Sequence, residues 1–460
     1  MTIRLRTSSN PNDLGTKSIR RLLVQYSVPA IIATVLTSLY NIIDSSFIGR
    51  GVGSNALTGL TIAFPLMNLV IAFCLLVSVG GATISSIFLG QKNRESATDA
   101  VNNVMTLCLI HAVVFGGLSL LFLDPILVFF GASPNSLPYA REFMTIILLG
   151  TPISYIFIGL NNLMRATGYP VKAMISAFIS VPLNICTAYL LIYVLHWGIK
   201  GAACATILAQ FGSLIWVMCH FLSNKSYVRL NRRNRWFKWE IVKRIYPIGL
   251  SPFLMNVCTC IVVALINYSL LNCDGVDGDM AVGAYGIVNR VVVVFVMIVL
   301  GITQGMQPIL GYNYGAKNYP RVRTTLNYGI IAGVGVTSLG CLLIEIFPDT
   351  FCAFFTEDAA LRSIASEAYR IVVACFPFVG CQIVIQNYFQ SIGKPAVSIF
   401  LSLTRQLIFL VPCLLLLPRL FGIIGVWSSM ATSDMLAFIL AVVVLFISNR
   451  RFKKSQGQEV

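Results

Sequence analysis

The sequence predicts an all-α integral membrane protein: twelve transmembrane helices in two six-helix bundles, related by a pseudo-two-fold axis along the membrane normal. Three observations predict it. The composition is too apolar for a water-soluble core, twelve apolar stretches reach spanning length, and a repeat lays the first half of the chain onto the second.

The 460 residues are 57% hydrophobic and 11% charged, with a mean hydropathy of +0.81. Soluble domains carry about 25% charged residues, so lipid must solvate much of this surface. A helix needs about 20 apolar residues to cross a hydrocarbon core of ~30 Å. In the first half such stretches run Leu22–Ile48, Leu57–Leu89, Val101–Leu123, Phe143–Met164, Val171–Val194 and Gly201–Leu222. In the second they run Tyr246–Leu271, Met280–Leu310, Thr325–Phe347, Ile364–Phe389, Ala396–Leu417 and Ile424–Ile447. The second and eighth are long enough to be tilted or broken. The first is too long for a cleavable signal and lacks a small-residue cleavage site.

The formal net charge of +16 is distributed by side of the membrane. One side carries Arg4, Arg6, Lys17, Arg20, Arg21, Lys92, Arg94, Arg165, Lys172, Lys317, Arg321, Arg323 and Lys394. The segment KSYVRLNRRNRWFKWEIVKR from Lys225 to Arg244 and the tail at Arg450, Arg451, Lys453 and Lys454 join them. The other side has Arg50, Arg141, Lys200, Arg362, Arg370 and Arg419. By the positive-inside rule both termini and the central loop are cytoplasmic. The basic excess is therefore a topology signal that favours contact with anionic headgroups over nucleic acid. Most of the 13 cysteines fall within apolar stretches, where Cys acts as a small apolar residue, and Cys273 has no obvious external partner. No CxxC pair occurs and the histidines at 111, 196 and 220 are scattered, so neither a disulfide framework nor a metal site is expected.

At an offset of 225 residues Ala56 meets Ala281, Gly80 meets Gly305, Gly90 meets Gly315 and Lys92-Asn93 meets Lys317-Asn318. Pro152 meets Pro377, Asn162 meets Asn387, and Gly168-Tyr169-Pro170 meets Gly393-Lys394-Pro395; at 224, Gly198 meets Gly422. Glycines and prolines set turns and helix ends, so the coincidence records backbone shape. Each half returns the chain to its starting side after six spans, so both insert the same way round. The expected division is 1–224 for the first bundle, 225–244 for a basic cytoplasmic linker and 245–460 for the second bundle. Two such bundles enclose a cleft that rocking exposes to either side, the architecture of alternating access.

Ionisable residues inside spans cost about 2.5–3.5 kcal/mol on insertion scales and each needs a reason. Asp44 is the one acid inside a span of the first half; Tyr40 lies one turn before it on the same face, and Pro29 weakens the same helix. Apolar surroundings favour the neutral form of a carboxyl, so an acid there can take up a proton. Capping of the helix end beside Gly49 and Arg50 is the other reading of Asp44. The second half has Asn267 at the matching place and holds Arg290, Arg405 and Asp434 instead. Each lies about ten residues into its span, roughly 15 Å deep at 1.5 Å per residue. Arg405 and Asp434 are expected to neutralise each other and fix packing, with Arg290 lining the cavity or sharing Asp434. Gly80-Gly81 and Gly301 to Gly305 suit close helix approach or a broken helix.

QPILGYNYGAKN (Gln307 to Asn318), LYNIIDSSFIGRGVG (Leu39 to Gly53) and GYPVKAMISAFISVPLN (Gly168 to Asn184) resemble the MATE family, for multidrug and toxic compound extrusion. SLTRQLIFLVP (Ser402 to Pro412), followed by Trp427 and Asp434, resembles its MepA-like and DinF-like bacterial branch. The resemblance covers nearly the whole chain. It implies export of lipophilic, often cationic drugs or toxic compounds, coupled to inward movement of protons or sodium ions. It carries an ion-coupling site onto Tyr40, Asp44, Asn184 and Thr206 and makes the Pro29 helix the bending element. It also implies a multi-pass protein of the bacterial inner membrane. Two departures favour protons over sodium. Related members have an aspartate where this chain has Ala188, and the sodium-coupled branch has acids in its seventh and tenth helices that are absent here. No cofactor, nucleic acid or obligate protein partner is expected. A lipid-linked oligosaccharide flippase of the same superfamily is the alternative, although it would have a strongly cationic cavity. An enzyme would need a convergent His, Asp or Cys constellation, and none is seen in the sequence.

Overall fold

The structure is a computed structural model and describes residues 12–224, 226–230, 237–271, 278–353 and 355–456. In the first half the long helices are α1 (Ile19–Gly51), α2 (Ser54–Gly90), α3 (Arg94–Leu121), α4 (Leu137–Leu149), α5 (Thr151–Ala166), α6 (Pro170–Tyr189) and α7 (Gly198–Leu222). In the second half they are α8 (Trp239–Leu271), α9 (Gly278–Gly315), α10 (Tyr319–Ile346), α11 (Ala359–Val373), α12 (Phe376–Ser391), α13 (Pro395–Leu403) and α14 (Val411–Gln456). A π-helical segment, Leu190–Val194, extends α6, and another, Thr404–Leu410, joins α13 to α14.

Nine helical stretches among the described residues can span a membrane by length and composition, and eleven if each bent pair counts once. The last stretch, Pro395–Arg450, is two passes rather than one. Gly422 breaks α14 with φ 56° and ψ −136°, and the chain folds back so tightly that a Cβ on Gly425 would sit 2.2 Å from the Leu417 carbonyl oxygen. The total is twelve, six to each half.

The repeat is written in the backbone. The two bent pairs, α4 with α5 (55°) and α11 with α12 (51°), occupy matching places, and matching prolines, Pro152 and Pro377, open the second limb of each. Positive φ recurs at Lys92 and Lys317 (60° and 56°), Gly168 and Gly393 (105° and 71°), and Gly198 and Gly422 (58° and 56°). Such angles are costly for a residue with a Cβ, so the two lysines mark a turn that both halves must make. In each, the next amide closes the helix end: Asn93 N donates to Phe88 O at 2.9 Å and Asn318 N to Asn313 O at 2.8 Å.

Packing follows membrane rules, with small residues between helices and large apolar ones outside. α10 buries Gly329, Gly333, Thr337 and Gly340 while Tyr328, Ile331, Leu339, Leu342 and Ile346 are exposed, where lipid would lie. Gly333 meets Gly380 of α12 so closely that a Cβ on Gly380 would stand 2.5 Å from the Gly333 carbonyl oxygen. Of the two readings open for the long second and eighth spans, the broken one does not hold: α2 and α9 are continuous helices of 37 and 38 residues, and the bends fall in the fourth and tenth spans. The glycines of α2 and α9 serve close approach instead. A Cβ on Gly90 would lie 1.9 Å from Tyr312 O, and one on Gly315 would lie 2.1 Å from Ile87 O. The 225-residue offset exchanges these contacts, Gly90 for Gly315 and Ile87 for Tyr312, as a two-fold relation requires. A Cβ on Gly249 of α8 would lie 1.7 Å from Leu76 O of α2, and Cβ atoms on Gly301 and Gly305 would each lie 2.6 Å from a Cα of α1, those of Ile31 and Ser27. The halves are therefore sealed together at the end that carries Leu14, Lys17 and Arg321. There Arg321 donates to the carbonyl oxygens of Leu14 (3.0 Å) and Lys17 (2.6 Å).

Two cores are drawn mainly from one half each, and they share residues across the halves: Ile309 and Tyr312 of α9 pack in the first and Leu23 of α1 in the second. Ile241, Val242, Ile245 and Ile248, at the start of α8, belong to the first core. The described parts of the central basic segment are fastened to the first half. Arg94 Nε donates to Tyr227 O at 2.7 Å, Lys238 N donates to Asn103 Oδ1 at 2.8 Å, and Lys238 pairs with buried Asp99. Residues 225, 231–236 and 272–277, the last with Cys273, lie outside the described residues.

A polar cluster and a cavity in the first half

α1, α6 and α7 bring three of the expected site residues to one atom. Tyr40 Oη lies 3.4 Å from Thr206 Oγ1, and Asn184 Nδ2 donates to the same oxygen at 3.4 Å. The Thr206 hydroxyl itself donates to Ala202 O at 3.2 Å, which leaves its lone pairs for the other two. Asp44 follows Tyr40 by one turn of α1. It is 8% exposed, and its Oδ1 is buried with no hydrogen-bond partner among the described residues. Unpartnered buried carboxyl oxygens are costly and mark sites of function or strain. Ala188, one turn after Asn184, is fully buried.

Tyr40, Asn184 and Thr206 stand on the wall of a cavity of about 450 Å³ enclosed mainly by α1, α2, α5, α6 and α7. Its wall is mostly apolar, with Met67, Tyr155 and Phe157 among the contributors, and Met297 and Gln304 of α9 reach it from the second half. Asp44 is not on the wall. Pro29 is buried in α1 between two hydrogen bonds that tie that helix to α9, Ser27 Oγ to Ile302 O (3.3 Å) and Thr34 Oγ1 to Met297 O (3.2 Å). α1 continues through the proline without interruption.

In the second half, Arg405 Nε donates to Asp434 Oδ1 at 2.7 Å, and Ser433 Oγ donates to Arg405 O at 2.8 Å. Arg405 projects from the π-helical Thr404–Leu410 segment. Arg290 does not join this pair. It is exposed, with its guanidinium 6.0 Å from the Phe355 ring centroid and no ion pair among the described residues, and the Asp434 carboxylate is taken by Arg405. Sequence reasoning also missed the place of Arg165. Counted above with the basic residues of one membrane side, it lies on the cavity wall, donating to Gln304 of α9 and to Asn162 Oδ1 at 2.5 Å. The sequence signal was its spacing: it follows Asn162 by three residues in the last turn of the same helix, hence on the same face.

The MatE family model matches residues 29–190 and 247–415, one segment in each half. The chain belongs to the MATE family. Among its relatives, the multidrug export protein MepA of Staphylococcus haemolyticus (strain JCSC1435) is 24% identical over 434 residues, 94% of this chain and 95% of that protein. MepA of Staphylococcus aureus (strain N315) is 24% identical with 94% of each chain covered. Among solved MATE structures, the multidrug transporter DinF-BH in complex with R6G is 35% identical, covering 96% of this chain and 98% of that one at a TM-score of 0.88. The outward-facing conformation of a multidrug resistance MATE transporter superposes at a TM-score of 0.91 with 22% identity over 98% of this chain, a likeness of fold.

Proposed function

We propose that this MATE protein is a secondary active multidrug exporter that exchanges protons for drug by alternating access between its two halves. The observation that carries the reading is the Tyr40–Thr206–Asn184 cluster on the wall of a drug-sized cavity, one helical turn from an unpartnered acid. Apolar pockets of about 300–1,000 Å³ with a few convergent polar groups are the usual form of small-molecule sites. The relatives named for multidrug export, and the relative holding R6G, support a lipophilic substrate, often cationic. The protein would act as a transporter and not an enzyme, in the bacterial inner membrane, with both termini cytoplasmic.

Asp44 would be the proton acceptor. Its neighbours across the cavity wall are neutral and can serve either charge state without a fixed counter-ion. Taking up a proton removes the charge from a site with little hydrogen-bonding support and shifts the balance of α1 at Pro29. The segment beyond Pro29 carries Thr34, Ser38 and Tyr40 on the cavity wall, so bending there narrows the drug site. Antiport then follows as mutual exclusion of drug and proton. Ala188 deprives the cluster of the second carboxylate that a sodium site would use.

The experiment is dye export by proteoliposomes under an imposed pH gradient or an imposed sodium gradient. Wild type should respond to the pH gradient alone. Asp44→Asn should fold and bind dye but lose proton-driven export. Undiminished export by that variant would move coupling to Arg405 and Asp434, and export driven by sodium at fixed pH would replace the proton.

A further inference from the structure

Among the described residues, Arg165 is the one charged residue on the cavity wall. It belongs to the last turn of α5, where a helix C-terminus favours a cation. Its recorded partners are amide oxygens, those of Gln304 and Asn162, and no carboxylate pairs with it among the described residues. Asn162 is held in turn by donation to Ser78 Oγ at 3.1 Å. Asn161 stands beside it on the same wall. The acids nearest in function lie elsewhere: Asp44 is off the wall, and Asp434 is occupied by Arg405. A guanidinium facing an apolar cavity without a counter-ion is a high-energy arrangement that an anion entering the cavity would relieve. Its planar fork matches a carboxylate with two parallel hydrogen bonds.

We infer that Arg165, braced by Asn162, forms a subsite for the carboxylate of an aromatic amphiphile whose ring system fills the apolar part of the cavity. The inference rests on the export reading and narrows it: zwitterionic or anionic aromatic acids are preferred over cations that lack an acid group. Gln304, the contribution of the second half, holds the fork while the site is empty and yields one donor direction to the ligand. Binding of the acid therefore weakens a bond between the two halves, Arg165 to Gln304, on the cavity wall.

The test compares a xanthene dye bearing a free carboxyl with its ethyl ester, by fluorescence anisotropy on the purified full chain and by export from proteoliposomes. Wild type should bind the acid about tenfold more tightly than the ester, the scale of one charge-assisted hydrogen-bonded pair. The ratio of the two affinities is the readout, so a general loss of fold does not mimic the result. Arg165→Gln should bring the ratio near one and Arg165→Lys should leave it intermediate. Gln304→Glu supplies an internal carboxylate in nearly the same volume; it should also abolish the preference, and should raise the melting temperature by neutralising the guanidinium. Equal affinities for acid and ester in wild type, or an unchanged ratio in Gln304→Glu, overturn the subsite while leaving export intact. Absence of export of either dye by wild type would instead refute the export reading.

Discussion

Gly90→Ala isolates the seal between the halves. A Cβ at this position would stand 1.9 Å from the carbonyl oxygen of Tyr312 and 3.0 Å from the amide nitrogen of Ala316. Both are backbone atoms within α9 or its end, so no side chain can swing aside. Carbon and carbonyl oxygen come into contact at about 3.3 Å, which leaves a shortfall of about 1.4 Å that only separation of α2 from α9 can supply. Overpacking of this kind costs typically 1–3 kcal/mol. The gain in helix propensity from Gly to Ala is the same in every conformation that keeps α2 helical and cancels from the ratio. A cost of about 1.4 kcal/mol borne by the sealed state alone raises the population open at this end about tenfold. The assay is a pulsed electron spin distance measurement between nitroxides at Glu95→Cys and Thr324→Cys, both exposed positions near the seal, in a cysteine-free background. The long-distance component should grow in Gly90→Ala, and equally in its repeat partner Gly315→Ala, whose Cβ would stand 2.1 Å from Ile87 O. Gly117→Ala is the control, since nothing lies within 4 Å of its Cβ position. Superimposable distance distributions for wild type and both seal variants would refute the reasoning, as would a response from one member of the pair alone.

Asp434→Asn leaves Arg405 without its carboxylate and should cost about 3 kcal/mol or more, measured as a lower melting temperature; removing both charges should restore much of it, and a fully stable single variant would argue for a coupling role. Asn103→Ala deprives the Lys238 amide of its acceptor at the entry to α8, a loss of about 1 kcal/mol by analogy with helix caps; an unchanged unfolding midpoint would show that the Lys238–Asp99 pair alone sets that junction. A cysteine placed between Asn272 and Asp279 should label with an impermeant reagent in intact cells, and one placed between Lys225 and Arg244 should not. The reverse pattern would invert the topology.

The features that the sequence disclosed are those that a residue type enforces locally. Pro152 and Pro377 begin helices because each lacks an amide hydrogen that the first turn does not use, so the repeat marked matching helix starts in the two halves, although not the bends that precede them. Gly422 was visible as the partner of Gly198, and its φ of 56° is what divides the last helical stretch into two spans. Tyr40 and Asp44 share a face of one helix, so their proximity needed only the helical period. Their link to Asn184 and Thr206 came from family resemblance, since contacts between helices far apart in sequence leave no periodic trace. Arg290 shows the limit of depth as a guide. Its distance along α9 matches that of Arg405 and Asp434 in their helices, but equal depth says nothing about which way a side chain faces.

By itself the sequence determined the solvent, the number of spans and the internal symmetry, because hydropathy, helix length and the positions of proline and glycine are properties of short segments. The Arg405–Asp434 pair was already expected from the sequence, but only the tertiary structure decided which other charged groups stay unpaired or stand open to the cavity. Asp434 has its arginine, Asp44 has an oxygen without a partner among the described residues, and Arg165 stands on the cavity wall. The physical reason is that the free energy of a charge in a low-dielectric interior is set by groups within a few ångströms of it. In this fold those groups come from helices hundreds of residues apart, Gln304 beside Arg165 and Met297 beside Thr34, brought together by glycines that let two backbones touch.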